Sequence, residues 1–413
     1  MNTLLIIGHV WPEPSSSAAG HRMMELIALF RAANYRVTFA SAAMKSDMAE
    51  NLKTQGVDDV LIELNNSSFD IFLKDLQPNL VLFDRFMTEE QYGWRVEKQC
   101  PNALRILNTE DIHSLRKARE SIAHGLDSDD WLTYWKGLDI TKREIASIYR
   151  CDVSFIISSY EMELLRKEFN FNDDQLLYIP FLRAPLGAKI KKNWNSFTER
   201  QHFVTIGNFK HPPNWNSVLY LKKTIWPLLK AKLPEAELHI YGAYPTQKVL
   251  ELHNKNEGFF IKGWAPDSLS VLQAARVCLA PLQFGAGLKG KLVEAMQAGT
   301  PNVTTSIGAE GMLTKEADWN GFVIDDPFKF AQAACTLYQN QKLWKQSQQN
   351  GIEIYNTFFN KNTRSASIIK TIQNLRNNLE EIRNNNFMGA MLNFHTMRST
   401  EFMSRWIEEK NKK

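Results

Sequence analysis

The stretch RVCLAPLQFGAGLKGKLVEAMQAGTPNVTT, residues 276–305, decides the fold. A β-branched, apolar run closes near Pro281, a glycine-rich turn follows, and residues 291–298 have the spacing of a helix before a second apolar run, Asn302–Thr305. Strand, turn, helix and strand in that order make the crossover unit of a parallel sheet. Gly285, Gly287 and Gly290 let the backbone bend sharply and come close to a ligand. The unpaired N–H groups at a helix start make an anion site, reinforced by the helix dipole. Lys289 and Lys291 add full positive charges at the same mouth. The segment therefore reads as a cradle for a phosphate or diphosphate, with a glycine-rich turn and solvated lysines as the plain alternative.

Outward from this unit the same alternation fills most of the chain. Leu4–Gly8, Val37–Ala40, Val60–Leu64, Leu80–Phe83, Arg105–Leu107 and Val153–Ile157 read as strands of one sheet. His202–Ile206, Glu237–Tyr241, Phe259–Ile261, Val277–Ala280, Asn302–Thr305 and Phe322–Ile324 read as strands of a second. Helical stretches such as Gly20–Ala33 and Thr88–Lys98 lie between them, so the fold class is α/β with two Rossmann-like, doubly wound domains. We expect an N-terminal domain over 1–182, a linker over 183–200, a second domain over 201–355 and a helical tail over 356–413. The linker holds Lys189, Lys191 and Lys192, more in keeping with a solvated face than an acidic-ligand site. The tail carries Phe387, Met388, Met391, Leu392, Phe394, Phe402, Met403 and Trp406, too many apolar groups for a flexible end, and is expected to dock back on the first domain.

Composition narrows the function. The 413 residues are 44% hydrophobic and 23% charged, which excludes a disordered or fibrous chain. A net charge of +4 is too mild for a nucleic-acid binder that works through a concentrated basic face, although acidic ligands suit it. The four cysteines, Cys100, Cys151, Cys278 and Cys335, stand far apart in neither a disulfide framework nor a zinc pattern, as in a reducing compartment. No signal-peptide pattern or spanning apolar run is visible. The expectation is a cytoplasmic chain, with contact to the inner membrane face left open.

Three motif families compete for the letters of the turn. Gly285-Ala286-Gly287-Leu288-Lys289-Gly290 matches the dinucleotide fingerprint GxGxxG, with Glu310 twenty residues beyond Gly290. That fingerprint normally follows the first strand of its domain, whereas this one comes about four strands in. Gly285–Lys291 also spells GxxxxGK, but Leu292 stands where a phosphate-binding P-loop needs Ser or Thr. The third claim reaches well beyond the turn. GAGLKGKLVEAMQAGTPNVTTSIGAEGM, GNFKHPPNWNSVLYLKKTIWPLLKAKLPEAELHIYG (207–242) and FFIKGWAPDSLSVLQAARVCLAPL resemble the donor-binding half of glycosyltransferase family 4, the group 1 glycosyltransferases of GT-B fold. PEPSSSAAGHRMMELIALFRAANYRVTFAS and TKREIASIYRCDVSFIISSYEMELL resemble that family's N-terminal half more loosely. The resemblance spans about residues 1–355 and points to the subgroup with a GxGLKGKxxEAM donor loop.

The resemblance implies metal-independent, retaining transfer of a sugar from a nucleoside-diphosphate sugar to an acceptor hydroxyl of a glycan or lipid-linked glycan. No cofactor is implied, the nucleotide sugar being a co-substrate. Glu294 matches the glutamate that holds the ribose, and Lys289 becomes the main cation on the departing diphosphate. Gly285, Gly287, Gly290 and Lys291 would line the donor site with Asn208, Lys210 and His211 from the first loop of the second domain. Gly263 and Trp264 would meet the base, and Gly20 would face donor and acceptor. His113 matches an N-domain histidine that contacts the sugar. Asp84, Arg85, Glu110, Asp111 and Arg116 follow strands of the N-domain and would shape the acceptor pocket; Glu89, Glu90 and Arg119 stand near them. Two departures stand out: Ala286 replaces the first glutamate of the family's E-x7-E motif, and the segment 207–211 lacks its usual Arg and Lys. Asp127-Ser128-Asp129 spells the DxD of metal-dependent transferases, yet in a polar loop rather than at a strand end. The rival readings are an NAD-dependent oxidoreductase using Gly285–Gly290 and a non-catalytic protein with a decayed sugar site.

Overall fold

The computed structural model describes residues 2–126, 130–313 and 318–412, with the side chain of Thr396 excepted. The N-terminal sheet comprises β1 (Asn2–Gly8), β2 (Tyr35–Ser41), β3 (Asp58–Leu61), β4 (Leu80–Asp84), β5 (Leu104–Asn108), β6 (Val153–Ile156) and β7 (Leu176–Tyr178). Its seven strands are parallel in the order β3-β2-β1-β4-β5-β6-β7. The second sheet comprises β8 (Gln201–Ile206), β9 (Leu238–Tyr241), β10 (Phe259–Gly263), β11 (Ala275–Ala280), β12 (Asn302–Thr304) and β13 (Gly321–Val323). Its six parallel strands run β10-β9-β8-β11-β12-β13. Strands such as LVLFD in β4 and LRILN in β5 are buried at every position, because helices cover both faces of a parallel sheet. The twelve strands expected from the sequence are all present; β7 was not foreseen. It is a three-residue strand at the sheet edge, too short to show a period.

Each sheet reverses its winding once, between β1 and β4 and between β8 and β11. Ligands of open α/β sheets bind beyond the carboxyl ends of the strands at such a switch point. In this chain the two switch points face one another across a cleft.

The two domains are joined by two crossings that lie side by side. The Arg183 N–H donates to the Phe359 carbonyl at 2.7 Å and the Lys361 N–H to the Arg183 carbonyl at 2.8 Å. Lys189, Lys191 and Lys192 are exposed on the first crossing, in and after a one-turn helix, and take no part in the cleft. After the second crossing, helix Lys361–Asn377 lays Ile368, Ile372 and Leu375 into the N-domain core beside Leu4, Val37 and Leu104. Arg383 then binds Asp152 through Nε and Nη2 at 2.8 and 2.9 Å.

The last helix, Phe387–Asn411, docks on helices Phe86–Gln99 and Asp139–Arg150, but not through the apolar groups expected to anchor it. Gly389, Met397 and Ser404 face inward; Arg95 Nη2 donates to Ser404 Oγ at 3.2 Å, Lys98 pairs with Glu401 at 2.9 Å, and Ser67 N–H donates to Glu408 at 3.0 Å. Phe387, Met388, Met391, Phe394, Phe402, Met403 and Trp406 stand exposed, and Leu392 is half-buried. The docking surface offers arginine, lysine and a helix start, so the polar and small side of the helix meets it.

Candidate functional site

A cavity of about 820 Å³ occupies the cleft and is lined by the loops after β1, β4, β5, β8, β9, β10 and β11. Every expected site residue lines it except Gly263, whose carbonyl instead accepts the Gly242 N–H at 2.8 Å, one residue short of Trp264 at the rim. Trp264 itself reaches across to the other domain, its indole N–H donating to the Ser15 carbonyl at 3.1 Å.

The second domain supplies the donor-like side. Helix Gly290–Gln297 begins one residue earlier than its periodicity suggests, and no side chain caps it. Lys291, Glu294 and Gln297, three residues apart, form its one partly exposed face, and that face lines the cavity. Among the described residues Lys291 and Glu294 make no side-chain hydrogen bond, and Gln297 Oε1 is buried without a partner. Burial lowers the Lys291 ammonium to about 8. Lys289 is turned back: its Nζ donates to the carbonyls of Ala286 at 3.1 Å and Gly287 at 2.7 Å, holding the loop closed. Burial lowers it to about 8 as well, against the pull of Glu310.

The glycines serve packing as much as ligand approach. Gly287 has φ +63°, and a Cβ there would lie 2.8 Å from Asp111 Cβ. A Cβ on Gly290 would meet Ala18 at 2.5 Å. The Gly287 N–H donates to Glu161 at 2.8 Å, so it is already engaged. Ala286 packs against core side chains of the N-domain and also lines the cavity.

The N-domain side is a charged network. His113 Nε2 lies 3.2 Å from Asp111 Oδ1, and Arg116 binds the other carboxylate oxygen. Burial pushes the Asp111 carboxyl up, but the Arg116 guanidinium bound to it outweighs burial and holds it far below the usual range. Burial takes His113 down to about 3 and His211 to about 4, so both rings are neutral near pH 7. Glu110, with φ +62°, accepts from Asn108 Nδ2 at 2.7 Å above the buried Arg22, and burial pushes it up to about 7. Asp84 accepts the His9 N–H at 3.4 Å and has Arg85 beside it. Glu89 and Glu90 leave the pocket: Glu89 is buried against Arg150 and Glu90 pairs with Arg143.

On the opposite rim Asn208 accepts the Lys210 N–H at 2.8 Å, and the Lys210 ammonium sits 3.5 Å above the Tyr244 ring. Tyr244 in turn donates to Glu13 at 2.8 Å. Gly20 lines the floor because any side chain there would strike the Glu13 backbone at 2.4 Å. Arg119 is neither solvated nor directed at an acceptor: it donates to the Gly285 carbonyl at 2.8 Å and holds Glu310 with both nitrogens at 2.7–2.8 Å. With Glu310 so engaged, and the glycine turn after the fourth strand of its sheet, the dinucleotide reading finds no support. The sequence reading missed Glu161, Glu13, Tyr244 and Gln297 altogether. Glu161, Glu13 and Tyr244 sit in ordinary helix or loop patterns and meet the other domain only across the cleft, whereas Gln297 continues the three-residue row of Lys291 and Glu294. The DxD residues, 127–129, lie outside the described residues.

Comparison with known proteins agrees with this geometry. Residues 200–340, about a third of the chain, match the family model "Glycosyl transferases group 1". No curated protein matches the sequence. Sucrose-phosphate synthase from Thermosynechococcus elongatus superposes with a TM-score of 0.64 at 16% identity, over 91% of this chain and 99% of that one. Anabaena HepE in complex with UDP and glucose gives 0.65 at 12%, over 91% and 100%. S. aureus TarM, solved with Fondaparinux, alpha-GlcNAc-glycerol and UDP, gives 0.67 at 12%, over 91% and 100%. At such identities the likeness establishes the fold, and the fold is GT-B.

Proposed function

We propose that this chain is a glycosyltransferase that moves a sugar from a nucleoside-diphosphate sugar to an acceptor hydroxyl with retention of configuration and without a metal. The observation that carries the reading is the helix Gly290–Gln297, whose uncapped start and Lys291–Glu294–Gln297 face open into the cleft within the segment that matches the family model. As the anomeric C–O bond breaks, negative charge grows on the leaving phosphate, and helix-start N–H groups with Lys289 and Lys291 stabilise it. The acceptor oxygen bonds to the anomeric carbon from the same face, and its proton passes to the phosphate oxygen. Glu294 holds the ribose hydroxyls, and His113, neutral and fixed by Asp111, orients the sugar. The acceptor enters over Asp84, Arg85, Glu110 and Arg116, a polar floor suited to a glycan or lipid-linked glycan.

UDP heads the donor candidates, since HepE and TarM were solved with it. The test is thermal unfolding against UDP-, GDP-, ADP- and dTDP-sugars, with NAD and ATP as controls. A ligand at 100 times its dissociation constant stabilises by about 2.7 kcal/mol, a shift of several degrees. A response to one nucleotide sugar supports the reading and supplies the label for an acceptor search. A response to NAD alone overturns it, and donor binding with neither hydrolysis nor transfer indicates a binding protein.

A further inference from the structure

The face of helix Phe387–Asn411 turned away from the protein is apolar for most of its length: Phe387 is 76%, Phe394 55%, Phe402 67% and Trp406 59% exposed, with Met391 and Met403 between them. From Phe387 to Trp406 the stripe runs about 29 Å. The helix thus meets the N-domain through its small and polar side and leaves its apolar side open to water. A contiguous patch of this kind marks an interaction surface.

Charge decides what covers it. On the exposed side of this helix and at Lys412 stand four cations, Arg398, Arg405, Lys410 and Lys412, against one carboxylate, Glu409. The other two acids lie toward the N-domain, Glu408 on Ser67 and Glu401 between Lys98 and Arg405, and Lys412 pairs with Glu409, which leaves Arg398 and Lys410 without a carboxylate partner among the described residues. Arg398 lies 4.2 Å over the Phe394 ring and Lys410 5.2 Å over Trp406, so cationic heads flank the aromatic groups. A two-fold pairing of two copies through this face would set cations against cations. We propose that the stripe docks on an anionic lipid surface, the aromatic and methionine groups entering the headgroup–acyl boundary and the cations meeting lipid phosphates. Among the described residues no helix is long and apolar enough to cross a membrane, so the attachment is interfacial.

The experiment is co-sedimentation of the full chain with phosphatidylcholine vesicles and with vesicles containing about 30% phosphatidylglycerol. Binding to the anionic vesicles, weakened by salt, is the expected result. Phe402→Ser/Trp406→Ser and Arg398→Glu/Lys410→Glu should each lower the partition coefficient at least about tenfold. All four positions are exposed, so unchanged thermal unfolding should accompany the loss. Absence of binding to both vesicles, or binding equal in wild type and both variants, overturns the proposal. Self-association that Phe402→Ser/Trp406→Ser abolishes overturns it in favour of a second copy.

Discussion

Lys289 and its buried neighbours carry the predictions at the scale of single residues. Lys289 braces the loop carbonyls and stands where the proposed leaving group would develop charge. Lys289→Ala should lower turnover roughly 100-fold or more while leaving nucleoside affinity within a few-fold. Equal losses in the two would remove it from the leaving group. Titration gives a second prediction. Burial pushes Glu110 and Glu144 up to about 7 and Glu161 up to about 8, and takes His113 down to about 3 and His202 and His211 to about 4. Between about pH 4.5 and 6.5 the fold retains carboxyl protons that the unfolded chain has released, while the unfolded chain retains imidazole protons that the fold has released, and the slopes oppose. From about 6.5 to 7.5 the carboxyl contribution dominates, the fold binds more protons, and stability falls as pH rises; nearer pH 8 the buried Lys289 and Lys291, which release protons the unfolded chain keeps, oppose it. The melting temperature should drop by a few degrees across that window, and Glu161→Gln should flatten the drop. A rise there would show that these carboxyls are ionised in the fold.

Helices and strands divide cleanly between what periodicity reveals and what it conceals. In the tail, helix Lys361–Asn377 is part of the N-domain core, so Ile372→Ala should cost about 2–5 kcal/mol, whereas Phe402→Ala on the last helix should stay within about 0.5 kcal/mol. Denaturant unfolding of both variants checks the contrast. The central strands were legible because parallel strands buried on both faces read as unbroken apolar runs. The edge strand β7 was not. The helix Gly290–Gln297 and its Glu294 face were legible from local spacing and from the family resemblance. The last helix misled, because its apolar face is the one left open, while the side that meets protein carries Gly389, Ser404 and Glu408, which hydropathy does not single out. Glu161 was invisible for a related reason. Its partners, the N–H groups of Ile112 and Gly287, lie on segments 49 and 126 residues away.

Across the whole molecule the cleft is closed by a few cross-domain contacts: Arg119 to Glu310 and Gly285, Glu161 to Gly287, Tyr244 to Glu13, and Trp264 to Ser15. Arg119 does not itself line the cavity, yet it ties the glycine loop to the N-domain. Arg119→Ala should open the free protein, read as a larger radius of gyration in solution scattering, and a saturating donor should reverse part of the increase. An unchanged radius would show that the other contacts suffice. The return of the tail to the first domain also sets an order of assembly. The C-terminal sheet is contiguous in the chain, but the N-terminal core is complete only when Ile368, Ile372 and Leu375 arrive. On a ribosome adding about 5–20 residues per second, the first domain to be synthesised waits roughly 10–40 s for its last layer, and the second can finish before it. An unfinished apolar face on the nascent first domain is therefore the step at which a chaperone would have most to shield.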